Sequence, residues 1–211
     1  YRQTEDALKQ GLAITERGLG TGHVDVAHHR VAFADLYLQL GRFAEAGKFV
    51  EQALGVLQKV YPPSDPRHVH ALLSKARVQW AQAGYVDAQV TFERALSINK
   101  RANNGVLHAE VLSERARAAL DVGRLQQAQA DANEAYEVLL QIWGAAHPSV
   151  GAALELRAVV QLRAGQTELA VTDSRAAVQM INASAAQSDN PLVLDARVSL
   201  AELAFTFASN I

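Results

Sequence analysis

Histidine is the residue type in this sequence that could most readily ligate a metal or act in catalysis. Four histidines lie close together in two places, as His28-His29 and as His68 and His70. A protein metal site needs three or four convergent ligands, each oriented by a further hydrogen bond, and neither place supplies that number. We therefore predict no metal site and no cofactor.

A glycine-rich segment, Gly18-Leu19-Gly20-Thr21-Gly22, is the nearest approach to a phosphate-binding motif. It follows a helical pattern, whereas phosphate loops follow a β-strand. The serine-nucleophile motif Gly-x-Ser-x-Gly and the zinc-protease motif His-Glu-x-x-His are missing from the sequence. We therefore predict a non-enzymatic protein with no catalytic residue and no small-molecule substrate.

Basic side chains form a third chemical feature, because they recur at equivalent places along the chain. Lys75, Arg115 and Arg157 have nearly equal spacing, and Arg77 and Arg117 follow the first two by two residues. Such a basic ladder would suit an acidic protein tail or anionic lipid headgroups. In the alternative, structural interpretation, the cations pair with nearby carboxylates and their aliphatic stems cover the core. The nearest candidate partners are Glu110, Glu114 and Glu155.

An alanine pattern indicates the elements that carry these residues. The series alanine, eleven residues, alanine, six residues, alanine occurs four times, and successive middle alanines lie 42, 40 and 42 residues apart. Two helices approach closely only where their facing side chains are small, and residues seven apart share one helix face. The pattern therefore predicts four antiparallel helical hairpins. The trios are Ala34/Ala46/Ala53, Ala76/Ala88/Ala95, Ala116/Ala128/Ala135 and Ala158/Ala170/Ala177.

A glycine separates the two helices of each hairpin, at Gly41, Gly84, Gly123 or Gly165. Glycine adopts the left-handed conformation that ends helices at little cost, so we expect these four to end the first helices. No strand periodicity occurs, and about ten helices are expected in one all-α domain. The predicted segments are a leading half-repeat at 1–18, hairpins at 24–59, 66–101, 106–142 and 148–183, and a trailing helix at 191–208.

Composition narrows the functions open to the chain. It has 211 residues, 49% of them hydrophobic, and a formal net charge of −2. Nucleic-acid-binding surfaces carry a basic excess, so we predict no nucleic-acid partner. No apolar run reaches the length of about 18 residues that spans a membrane, and we expect a cytoplasmic location. The first residue is Tyr1 rather than Met, so a signal or anchor could precede it.

The first hairpin resembles the tetratricopeptide repeat (TPR), because Tyr37 is followed by Leu40-Gly41-Arg42-Phe43 and then by Glu45-Ala46. The longer period of about 42 residues resembles the kinesin light chain subtype, whose repeats are joined by a Gly-x-x-His-Pro-x-Val segment. Residues 144–150 match that segment fully, and residues 20–26 lack only the proline. The resemblance implies a right-handed α-solenoid that binds proteins as a scaffold or adaptor.

The resemblance also implies which residues line the concave groove, because the first helices of such repeats face it. A charged strip and an apolar strip lie three residues apart on these helices, which is the arrangement expected where a groove anchors a partner. The alternative is that the apolar strip packs one first helix against the next; we favour packing for the leucines and exposure for the aromatic residues. The charged strip contains Asp35, Arg77 and Arg117, and the apolar strip contains Leu38, Trp80, Leu120, Leu162 and Phe205.

Three functions remain open on this basis. The first is a scaffold or adaptor for a protein partner. Since the resemblance extends to bacterial kinesin light chains associated with bacterial tubulins, a bacterial tubulin filament is the most specific candidate. The second is a sensor or regulatory module of a larger bacterial signalling protein. The third is an anchor that uses the basic ladder on an anionic membrane surface.

Overall fold

The computed structural model describes residues 2–185, and this part of the chain is helical with no β-strand. The prediction of an all-α array of antiparallel hairpins is confirmed for these residues. Phe205 and the predicted trailing helix at 191–208 lie outside them. The nine α-helices of the described part are α1 (Arg2–Leu19), α2 (Val24–Gln39), α3 (Phe43–Val60), α4 (Val69–Ala81), α5 (Tyr85–Ala102), α6 (Gly105–Asp121), α7 (Leu125–Trp143), α8 (Pro148–Arg163) and α9 (Thr167–Ala185), and a short 3-10 helix, Pro66–His68, precedes α4.

The chain forms two compact units that divide between Asn104 and Gly105. In unit 1, α2 pairs with α3 and α4 with α5, while α1 packs against α2. In unit 2, α6 pairs with α7 and α8 with α9. We call α2, α4, α6 and α8 the first helices, and α3, α5, α7 and α9 the second helices. Within each unit the first helices also contact each other, α2 with α4 and α6 with α8.

The alanine trios lie where the helices of each hairpin cross. None of the twelve alanines is more than 1% exposed, although the chain also contains many exposed alanines. A methyl side chain lets two helix backbones approach closely, and this close approach buries the larger side chains on either side. In unit 2, for example, Ala116 of α6 and Ala128 of α7 belong to one buried cluster. The alanine pattern therefore predicted the crossings correctly.

The four hairpin turns share one hydrogen-bonding pattern but not one residue type. Gly41, Gly123 and Gly165 have φ values of 71°, 74° and 78°, as expected for residues that end a helix in the left-handed conformation. The expectation for Gly84 is wrong, because its φ is −79° and Ala83, with a φ of 61°, occupies the left-handed position. The Gly84 N–H donates to the Gln79 carbonyl at 2.8 Å, so this turn keeps the shared geometry while its glycine lies one residue later.

The segments between hairpins begin the following helix with a side-chain cap. His23 and His147 are the N-cap residues of α2 and α8, and the Nδ1 atom of each accepts a hydrogen bond of 3.2 Å from the backbone N–H two residues on. Such a cap satisfies a backbone donor that has no partner inside the helix. Before α4, Asp65 takes this role and accepts from the Arg67 N–H at 3.0 Å. These linker histidines are therefore structural.

Candidate functional site

The first helices of unit 1 are joined by a polar cluster around Asp35 on α2. Ser74 Oγ, on α4, donates a hydrogen bond of 2.8 Å to Asp35 Oδ1. The Arg77 guanidinium, also on α4, lies 3.5 Å from the same oxygen. The Arg77 side chain is 30% exposed. The charged strip of unit 1 therefore contains an ion pair between the two first helices, and Arg77 remains accessible to a partner.

The apolar strip is half-buried at each position that the structure describes, namely Leu38, Trp80, Leu120 and Leu162. Leu120 packs against a buried cluster of unit 2 that includes Leu156, which agrees with a packing role for this leucine. Trp80 is less exposed than expected, because α4 packs against both α2 and α5. A half-buried tryptophan presents one edge of its ring to a partner while the rest is held by its own helices.

The basic ladder is occupied by ion pairs to second helices. Arg115 of α6 forms two parallel hydrogen bonds to Asp131 of α7, at 2.8 and 2.6 Å, and Arg157 of α8 forms the same pair with Asp173 of α9, at 2.6 and 2.8 Å. In unit 1, Lys75 Nζ lies 2.7 Å from a carboxylate oxygen of α3. The carboxylates expected as partners, Glu110, Glu114 and Glu155, lie on first helices and do not form these pairs.

Burial controls the electrostatics of these pairs. Asp131 is 3% exposed, and burial raises the pKa of its carboxyl above the usual value although the Arg115 guanidinium lowers it. Arg157 also covers the ring of Tyr136, with its guanidinium carbon 4.0 Å from the ring centre. A planar guanidinium held by two hydrogen bonds and an aromatic face is fixed in position. The geometry of Arg115 and Arg157 therefore favours the structural interpretation of the ladder.

The same pair of repeat positions is apolar in the first hairpin. Phe33 of α2 and Phe49 of α3, sixteen residues apart like Arg115 and Asp131, stack with ring centroids 4.9 Å apart. Sequence reasoning missed the acidic partners on the second helices. The signal that could have found them is this recurring spacing of sixteen residues, which pairs aromatic with aromatic in one hairpin and cation with carboxylate in two others.

A cleft of about 290 Å³ lies in unit 2, between the first helices α6 and α8 and the end of α7. Arg117 lies at one end of it, 3.3 Å from Glu114 and with its side chain 44% exposed. Glu155, on α8, is half-buried; burial raises the pKa of its carboxyl, and the Arg117 charge lowers it by less. Arg117 is thus the cation of unit 2 that differs from the ladder pairs, because its ion pair lies within one helix and is exposed.

Two further features bear on the class of site. Among the described side chains, no group of three or more histidine or acidic residues is arranged to hold a metal ion. Within residues 2–185, no helix is both long and apolar enough to cross a membrane.

The fold and its paired helices are those of a tetratricopeptide repeat protein. The tetratricopeptide repeat family profile matches residues 25–101, which confirms the repeat type over this part of the chain. No curated protein matches the sequence.

Solved structures extend the likeness over most of the chain. BtubC (BKLC) from P. vanneervenii is 18% identical, with a TM-score of 0.71 over 90% of this chain and 76% of that one. A putative kinesin light chain with TPR-like repeats from Podospora anserina is 17% identical, with a TM-score of 0.66 over 88% and 98% of the two chains. The apo form of RapI is 14% identical, with a TM-score of 0.70 over 97% and 76%. The expected resemblance to kinesin light chain repeats is therefore confirmed at the level of fold.

Proposed function

We propose that this chain is a non-catalytic scaffold that binds a protein partner through its first helices, and that the partner is a bacterial tubulin filament. The observation that carries the proposal is the difference between the two faces of the hairpins. The first helices present Arg77, Trp80 and Arg117 with part of each side chain accessible. The fold similarity to BtubC (BKLC) supports the choice of filament.

The accessible cations, rather than the whole basic ladder, are the residues proposed to contact the partner. Arg115 and Arg157 are held in buried, bidentate ion pairs, and breaking such a pair on binding would leave an unpaired buried carboxylate, at a cost of several kcal/mol. Arg77 and Arg117 have longer ion-pair distances of 3.5 and 3.3 Å. They are able to exchange their present carboxylates for those of a partner at much lower cost.

Co-sedimentation with polymerised bacterial tubulin tests this function. We expect Arg77→Glu and Arg117→Glu each to lower the fraction that sediments, and the wild-type interaction to weaken above the ionic strength at which the screening length falls to about 8 Å. Trp80→Ala should also reduce binding, because an aromatic anchor contributes about 2 kcal/mol or more in a protein interface. Arg94→Glu, an equal charge reversal at an exposed site of the second helix α5, is the matched control.

Two outcomes would count against the proposal. If no filament sediments the wild-type chain, the tubulin partner is wrong. If the two reversals leave sedimentation unchanged while Arg94→Glu reduces it, the filament binds the second helices instead. Circular dichroism of each variant shows whether helical content is retained, so that a loss of binding is not confused with unfolding.

A regulatory module of a signalling protein is the second candidate, since the likeness to the apo form of RapI covers 97% of this chain. The membrane role is less well supported, because three cations of the ladder are engaged by carboxylates. Anionic vesicles in the same sedimentation assay separate these cases: a membrane anchor would sediment with vesicles, a scaffold with filaments, and a regulatory module with neither.

A further inference from the structure

The cleft of unit 2 has an apolar floor and a charged rim. Val106 and Ala109 of α6, Leu139 of α7 and Ala153 of α8 contribute the apolar surface. Glu110, one turn along from Val106, belongs to the rim. The apolar surface is aliphatic throughout, and no aromatic ring lines the cleft. A flexible aliphatic chain therefore matches this floor better than a flat ring does.

The rim carries a net negative charge. Residues 106, 109, 110, 113, 114 and 117 follow one face of α6, and Glu110, Glu114 and Arg117 are its charged members. Glu155 adds a carboxylate from α8, so three acidic groups and one basic group give a formal charge of −3 + 1 = −2. Glu114 already faces the Arg117 guanidinium at 3.3 Å. The excess negative charge therefore belongs to the part of the cleft nearest Glu110.

We propose that this cleft receives an arginine side chain of the protein partner, with the aliphatic stem on the floor and the guanidinium against the carboxylates of Glu110 and Glu114. The proposal rests on the proposed function, because it assumes that the ligand is carried by a protein. The occupant is chosen by charge complementarity and by shape. Arginine suits the site better than lysine, because a planar guanidinium pairs with more than one carboxylate oxygen at a time and is less strongly hydrated than an ammonium group.

An acidic or phosphorylated segment is the opposite possibility, since Arg117 also lines the cleft. Two observations argue against it. The Arg117 charge is already matched by Glu114 on its own helix, and Glu155 lies near enough for Arg117 to lower the pKa of its carboxyl. An anion entering the cleft would displace these carboxylates and meet Glu110 as well, so the electrostatic field disfavours it.

A peptide array measures this preference directly. The full chain, fluorescently labelled, is applied to nonapeptides with randomised flanks and a fixed central residue: arginine, lysine, citrulline or glutamate. Citrulline has the shape of arginine without its charge. We expect arginine peptides to retain about tenfold more protein than citrulline peptides, and lysine peptides to be intermediate. Equal retention by arginine and citrulline, or preference for glutamate, would overturn the proposal.

Three variants show whether the cleft itself makes the selection. Glu110→Gln/Glu114→Gln should remove the preference for arginine over citrulline, whereas Glu93→Gln/Glu137→Gln, at exposed second-helix sites, should keep it. Ala152→Leu, which places a larger side chain on an exposed position of the cleft wall, should also remove it without a change of charge. If Ala152→Leu retains the full preference, arginine binds somewhere else.

Arg117→Glu separates this inference from the proposed function. It makes the cleft more negative, so the preference for arginine peptides should rise, although the same change is expected to lower filament sedimentation. A fall in both assays would show that the cleft does not select a cation. If arginine peptides are selected but filaments never sediment the wild-type chain, the cleft is supported and the tubulin partner is the part that fails.

Discussion

The buried pair of Arg115 and Asp131 leads to a prediction whose size follows from the structure. Their side chains are 17% and 4% exposed and share two short hydrogen bonds. Arg115→Met leaves the Asp131 carboxylate buried without its cation, which costs roughly 3–5 kcal/mol. For a chain of this size that corresponds to a fall of roughly 6–20 °C in the unfolding temperature.

The double variant Arg115→Met/Asp131→Leu should reverse this loss. Replacing both members of a buried pair by apolar residues of similar volume removes two desolvation costs, and such replacements range from neutral to about 4 kcal/mol stabilising. The first hairpin supports this expectation, because the equivalent positions hold the stacked rings of Phe33 and Phe49.

Thermal unfolding followed by circular dichroism at pH 7 and pH 4 measures both effects. Burial already raises the pKa of Asp131, and loss of Arg115 raises it further. A carboxyl with a raised folded-state pKa destabilises the fold as pH rises above the unfolded-state value, so the cost of Arg115→Met should be smaller at pH 4 than at pH 7. Arg117→Met, at an exposed arginine, is the control and should change stability by no more than about 0.5 kcal/mol. A loss below about 1 kcal/mol for Arg115→Met, or a double variant no more stable than the single one, would refute this reasoning.

Three further changes test the helix crossings, the turns and the half-buried carboxylate. Ala116→Leu should cost roughly 1–3 kcal/mol through overpacking, and an unchanged melting temperature would show that no close crossing exists there. Ala83→Gly should stabilise the protein by about 1 kcal/mol, because glycine adopts the left-handed conformation without strain, whereas Gly41→Ala should cost about 1–2 kcal/mol; urea unfolding that gives both changes the same sign would contradict this. Glu155→Gln should raise the melting temperature at pH 7, where the buried carboxylate is charged, and the gain should shrink towards pH 4; an equal gain at both pH values would exclude charge burial as the cause.

The features of the fold that were predicted correctly are those set by short-range patterns. Small residues at fixed spacing identify a close crossing wherever it occurs, so the alanines located all four crossings. The exception was the turn before α5. Glycine was taken as the left-handed residue in each turn, but Ala83 occupies that position, and Gly84 stands at the N-cap of α5. The hydrogen bonds of the turn, rather than its glycine, determine which residue takes the positive φ.

The ion pairs could be predicted only in part, because they depend on which face each second helix turns towards its partner. The equal spacing of the ladder cations was visible in the sequence, but their partners were sought on the first helices. Asp131 and Asp173 lie sixteen residues after their arginines, across the hairpin, where helical periodicity within one helix does not apply. The cleft between α6 and α8 has no sequence signal of its own, since it results from the packing of three helices.

Hydroxyl-radical footprinting of the chain on bacterial tubulin filaments is the most direct test of binding through the first helices. Trp80 lies on the first helix α4, and Tyr85, 45% exposed, begins the second helix α5. Both side chains react readily with radicals, and oxidation is compared between the free and the filament-bound chain by mass spectrometry. The account predicts that filament binding protects Trp80 and leaves Tyr85 as reactive as in the free chain. Protection of Tyr85 with no protection of Trp80 would contradict it.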